Sequence, residues 1–187
     1  MKHIVFLLEE LSAKEMLKGL FPRLAPEISY RCILFEGKQD LDKNVAKKIR
    51  AYRVPDSMFI VLRDQDAGDC HKIKQNLLEL CKKYDNREKD ILVRIACREM
   101  ESWYLADLKA VEQGLNIPGL AKHQNGKKYR SPDYLHSPSK ELETLTKHHY
   151  QKVSGSRNIG RYLDLTNKRS NSFRVFIEGI RKILDKN

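Results

Sequence analysis

Four short apolar runs, HIVFLL from His3 to Leu8, Tyr30 to Phe35, Ser57 to Arg63 and Ile91 to Cys97, alternate with stretches of helical periodicity. That alternation limits what the chain can fold into. Leu41, Val45, Ile49 and Tyr52 share one helical face, as do Ile73, Leu77, Leu80, Cys81 and Tyr84. Between the first two runs, Ser12 with Glu15 has the form of a capping box, which predicts a helix through Met16, Leu17 and Leu20 to the region of Pro22. Gly37 marks the turn after the second run. A β-α-β-α-β-α-β order with unbroken apolar strands predicts an α/β fold: a mainly parallel, Rossmann-like four-stranded sheet flanked by helices, with right-handed crossovers.

Beyond Glu101 the strands stop. A helix is expected from Ser102 to Leu115, broken near Asp107, then a Pro-, Gly- and Lys-rich segment that reads as a mobile loop to Ser139. Further helices are expected with Ser137 or Ser139 as the cap, near Ile159 to Leu163, and from Ser172 through Phe176, Ile180 and Ile183. Charge divides at the same place: residues 1–118 hold 21 Lys and Arg against 19 Asp and Glu, whereas residues 119–187 hold 15 against 6. The expectation is a metal-binding domain over 1–118 and a basic loop and helical extension over 119–187 packed on it. A basic face beside an acidic crevice suits a polyanion, and Lys127, Lys128, Arg130, Arg157 and Arg161 are the candidate nucleic-acid contacts. Cys32, Cys70, Cys81 and Cys97 form no CxxC and read as buried free thiols of a reducing compartment. The run Ile4 to Leu8 is too short for a signal-peptide core or a membrane span, so a cytoplasmic location is expected. A homo-oligomer is compatible with all of this.

Acidic residues follow three of the four runs: Glu9 and Glu10, Asp64 and Asp66, and Glu99 and Glu101. Ligands of parallel α/β sheets bind at the carboxyl ends of the strands, so these side chains are candidates for one crevice. Carboxylate oxygens select Mg²⁺ or Mn²⁺ over metals that prefer thiolate or imidazole. Residues two apart on a strand point the same way, so Asp64 and Asp66 share a metal if the strand continues into the loop. Gly68 then allows a sharp turn, and Asp69 caps the next helix. Glu101 is the better ligand of the last pair, while Glu99 equally suits pairing with Arg94 or Arg98. Trp103 and Tyr104 read as core. His148 and His149 are adjacent rather than a turn apart, and His71 reads as a surface residue.

Glu9 after the first strand and Asp64 with Asp66 after the third resemble the Toprim domain, the Mg²⁺-binding module of type IA topoisomerases, DnaG-type primases and the overcoming-lysogenization-defect (OLD) nucleases. The strings LLEELSAKEML, FEGKQDL, LRDQDAGDC, ACREMESWYLAD and SNSFRVFIEGI are similar to a Toprim-like bacterial family, domain of unknown function 4276. The resemblance spans nearly the whole chain. It implies phosphodiester cleavage of DNA or RNA with one or two Mg²⁺ or Mn²⁺ ions, and an ATPase partner encoded nearby in an anti-phage defence system. Glu10 stands where the nuclease version has glycine. The resemblance further implies a lysine outside the metal shell, with Lys140 and Lys152 as candidates to stabilise developing charge on the phosphate. Topoisomerase chemistry needs a tyrosine in a further large domain, and priming fits a chain of 187 residues no better. Without a GxxxxGK[ST] string, any ATP hydrolysis falls to a separate subunit. The competing readings are a non-catalytic Toprim-like regulatory or docking subunit of an ATPase, and a phosphatase or nucleotide-processing enzyme on the same metal.

Overall fold

The computed structural model describes residues 2–84 and 90–185, with the side chains of 83 and 84 set aside. β1 (His3–Leu8), β2 (Ser29–Leu34), β3 (Ser57–Asp64) and β4 (Ile91–Ala96) form one sheet in the order β2-β1-β3-β4, every pairing parallel. Ile4 to Leu8 are wholly buried, as a central strand covered on both faces requires. The register sets Leu8 opposite Leu62 and Asp64 opposite Ala96, which brings the ends of β1, β3 and β4 to one edge.

One face of the sheet carries α2 (Lys38–Ala51) and α3 (Cys70–Tyr84), whose Leu41, Val45, Ile49, Leu77 and Cys81 pack on Val5, Leu7, Phe59 and Val61. Gly37 precedes α2 with φ 85°, a left-handed conformation that glycine takes without strain. The Oδ1 of Asp69 accepts from His71 and Lys72 N–H, the expected cap of α3. Tyr84, expected on the α3 face, has its side chain outside the described residues.

The other face is thicker. α1 (Leu11–Leu24), α4 (Glu101–Leu105), α5 (Leu108–Leu115), α6 (Pro138–Leu145), α7 (Lys152–Gly160) and α8 (Asn171–Leu184) share a single core with the sheet. The break at Asp107 is as expected: its carboxylate caps α5 by accepting from Ala110 N–H. Trp103 and Tyr104 are core, with Trp103 stacked on Phe176 at 5.0 Å and its Nε1 donating to Ser172 Oγ at 2.8 Å. Ser170 caps α8, whose Phe173, Phe176, Ile177, Ile180 and Ile183 are buried, each side chain contributing about 1.5–3 kcal/mol.

Several expectations are corrected. α1 starts at Leu11, with Glu10 in the cap position, so Ser12 and Glu15 do not form a capping box. Both lie inside the helix and are buried; Ser12 Oγ donates to Glu10, and Glu15 pairs with Lys18 and Arg157. The helix also continues past Pro22 to Leu24. Residues 116–139 are pinned rather than loose. Buried Gln124 donates to the carbonyls of Leu105 and Tyr129 and accepts from Leu108 N–H, and Asp133 accepts from Ser170 and Ser172. The helix expected near Ile159 to Leu163 is α7, which begins at Lys152 and ends at Gly160. Arg94 runs beneath α8 to the Val175 carbonyl instead of pairing with Glu99. All four cysteines are free, but only Cys81 is buried; partial burial pushes the thiols of Cys32 and Cys97 up to about 11. Among the described residues, no helix is long and apolar enough to cross a membrane.

Candidate functional site

Glu9 directly follows β1, and its Oε2 accepts from the Asp64 N–H at 3.1 Å, which ties the ends of β1 and β3 together. Glu9, Glu10, Ser12, Arg63, Asp64 and Met100 line a small open crevice there. Glu101, at the start of α4, is fully buried; its Oε1 accepts from Tyr150 Oη at 2.9 Å, and its Oε2 has no hydrogen-bond partner among the described residues. Lys152, the first residue of α7, reaches Glu10 Oε2 at 2.6 Å.

These groups feel one another. The Asp64 carboxyl lies in dense surroundings although the residue as a whole is half-buried, and burial, followed by the charges of Glu101, Glu10 and Glu9, pushes it well above the usual carboxylate range. Burial also raises Glu9, helped by Asp66 and Glu10, and raises Glu101 against the opposing charge of Lys152 and the Tyr150 hydrogen bond. For Lys152 burial acts downward, but Glu10, Glu101 and Asp64 outweigh it and raise the ammonium. An ammonium facing three carboxylates stays charged at neutral pH.

Of the remaining sequence candidates, Asp66 borders this edge and the others lie away from it. β3 ends at Asp64, and Asp66 sits in the left-handed region at φ 53°, so the strand geometry that would align the two aspartates stops between them. Asp66 instead binds Lys38 Nζ at 2.7 Å, and its backbone is locked to Arg98 across the loops after β3 and β4. Gly68 shows no left-handed φ; its bare α-carbon makes room for Ile73. Glu99 Oε2 accepts from Ser139 N–H at the start of α6, a helix N-terminus that favours an anion. Lys140 is exposed on α6 and makes no side-chain hydrogen bond among the described residues. Of the basic candidates, Lys128 pairs with Glu141 and Arg157 with Glu15, while Lys127, Arg130 and Arg161 stand exposed. Sequence reasoning missed Tyr150. A tyrosine in HHYQKV carries no sign that it meets a glutamate 49 positions earlier.

The donor set suits a hard divalent cation: oxygen ligands only, an unpartnered buried carboxylate oxygen, and mutual repulsion that a cation would relieve. As they stand, however, no three Asp, Glu, His or Cys side chains among the described residues form a ready metal-binding group. Glu10 is held by Lys152 and Glu9 by a backbone N–H.

The profile of the domain of unknown function DUF4276 matches residues 8–181. The chain belongs to the DUF4276 family. Its fold is Toprim-like and similar to two solved structures. The C-terminal region of the Burkholderia pseudomallei OLD protein superposes with a TM-score of 0.52 at 14% identity, over 98% of both chains. The C-terminal region of the Xanthomonas campestris pv. campestris OLD protein gives 0.50 at 13% identity, over 97% of this chain and 95% of that one. Among curated proteins, none matches the sequence of this DUF4276 chain. At such identities the likeness is one of fold, and the chemistry rests on the residues described above.

Proposed function

We propose that this DUF4276 protein is a metal-dependent nuclease that hydrolyses phosphodiester bonds of DNA or RNA, acting in the cytoplasm as the effector of an ATPase partner in anti-phage defence. The supporting observation is the convergence of Glu9, Glu10, Asp64 and Glu101 with Lys152 at one sheet edge. Glu9, Asp64 and Glu101 would hold Mg²⁺ or Mn²⁺, with Glu10 and Asp66 at the margin. Such an ion, when bound, polarises the phosphoryl group and makes water a stronger nucleophile. Tyr150 orients the Glu101 carboxylate by donating to one oxygen and leaves the other without a partner among the described residues. Lys152 keeps a positive charge at the crevice, placed to stabilise negative charge on a phosphate once Glu10 releases it. Lys152 is therefore preferred over Lys140 as the catalytic lysine.

A second reading, a regulatory subunit that keeps the shape and docks an ATPase, is favoured by the lack of a ready three-carboxylate group among the described residues. A calorimetric titration of Mn²⁺ into wild type and Asp64→Asn, followed by cleavage assays on DNA and RNA with and without a candidate ATPase, separates the two. The nuclease reading expects specific Mn²⁺ binding and cutting, both lost in a folded Asp64→Asn protein. Cutting that survives Asp64→Asn would sink it, and folded wild type that binds no metal even with substrate present assigns the docking role.

A further inference from the structure

Away from the strand ends, the turn at Asp107, the 3₁₀ turn at Ala121–His123 and the segment after α7 enclose a cleft of about 490 Å³, within the range of small-ligand sites. Its floor is a polar network with every member engaged. Asp107 accepts from Ala110 and Asp164 N–H, Gln124 spans Leu105, Leu108 and Tyr129, and Asn167 donates to the Ala106 carbonyl while accepting from Arg169 N–H. The rim is the opposite. Lys109, Gln113, Asn125, Tyr162 and Arg169 line the cleft, all exposed, and none of their side chains makes a hydrogen bond among the described residues. Tyr162 leaves 46% of its surface open, so its ring can take a stacking partner.

Asn167 also lines a second cleft of about 320 Å³ along α8, bordered by Lys168, Arg174 and Arg181. Across both, five cations face three carboxylates; Glu178 is paired with Arg174, which leaves Lys109, Lys168, Arg169 and Arg181 against Asp107 and Asp164, whose oxygens accept from backbone N–H groups and Thr166. The accessible charge is therefore positive.

An exposed aromatic face, uncommitted cations and free carboxamides over a rigid floor are the groups that bind one nucleotide: the ring stacks the base, the cations take the phosphate, and the amides meet the base edge. We infer that this cleft binds a nucleotide unit of a single-stranded nucleic acid, with the strand continuing over the α8 cleft. The inference stands apart from the strand-end crevice, since binding here needs neither metal nor cleavage.

The test measures fluorescence anisotropy of a labelled oligo-deoxythymidine on the full chain in EDTA, across a salt series. Tyr162→Ala should weaken binding about tenfold, and Lys109→Gln/Arg169→Gln should lower the log–log salt slope by about 1.4. A matched charge removal on the opposite face, Lys43→Gln/Lys47→Gln, should leave both nearly unchanged. Calorimetry with uridine monophosphate separates the two sources of the same chemistry: loss of its binding in Tyr162→Ala without loss of oligonucleotide binding assigns the cleft to free nucleotides. Wild-type affinity for both ligands in Tyr162→Ala, or equal salt effects from the two double variants, overturns the inference. All substituted residues are exposed, and circular dichroism verifies folding.

Discussion

Helix α7 meets α1 backbone to backbone, and Gly160 is where the approach is closest. A Cβ built on Gly160 falls 3.0 Å from Met16 Cα and closer still to the Met16 carbonyl oxygen. Main-chain atoms cannot rotate aside, so Gly160→Ala must push the helices apart by roughly 1 Å to restore a separation of about 3.5 Å. Overpacking of this kind costs about 1–3 kcal/mol, and a collision with backbone belongs at the upper end. The better helix propensity of alanine returns up to about 1 kcal/mol. The net loss of about 2 kcal/mol corresponds to roughly 4–8 °C in Tm for a chain of this size. Thermal melts followed by far-ultraviolet circular dichroism read it directly. Gly19→Ala, whose Cβ meets Arg161 N at 2.6 Å from the other side of the same interface, should fall by a similar amount. A Gly160→Ala protein melting within about 1 °C of wild type would refute the claim that this contact is rigid.

Four further outcomes are expected. In EDTA, raised Asp64, Glu9 and Glu101 mean the folded state holds more protons than the unfolded one, so their contribution to stability falls as pH rises from the ordinary values of 3.8 and 4.5 through the raised ones; Asp64→Asn should therefore out-melt wild type at mildly alkaline pH, the gap closing on acidification. Mn²⁺ at about a hundredfold its Kd should stabilise wild type by about 2.7 kcal/mol, visible as a rise of roughly 5–10 °C that Asp64→Asn lacks. Tyr150→Phe removes a side-chain hydrogen bond to Glu101 and should weaken Mn²⁺ binding in calorimetry while leaving the Lys152–Glu10 pair intact. Ser172→Ala strips the acceptor from Trp103 Nε1 and from Cys97 N–H, at a cost of about 2 kcal/mol in chemical denaturation.

The sheet and the break at Asp107 were legible because each leaves a local mark: unbroken apolar strands, and an Asp where helical periodicity shifts. α7 left none. VSGSRNIG is poor in helix formers, and what makes it helical is the close seat that Gly155, Gly160, Gly19 and Gly114 allow against Tyr150, α1 and α5. Glu9 and Asp64 were legible as strand-end carboxylates, whereas the turn of Asp66 toward Lys38 depends on a left-handed residue that an aspartate's identity does not announce. The Glu101–Tyr150 bond joins residues far apart in the chain, and one sequence contains no signal for such a pair.

Because α7 carries Lys152 and follows directly on Tyr150, the acidic edge of the sheet is completed by residues from the basic half of the chain. The two halves thus depend on each other at that edge. A recombination joint near residue 118 would exchange the lysine and the tyrosine together with the packing that seats them. Descendants of such an event would need a replacement helix with glycines at the same two crossing points before the sheet-edge carboxylates regained the counter-charge that Lys152 supplies.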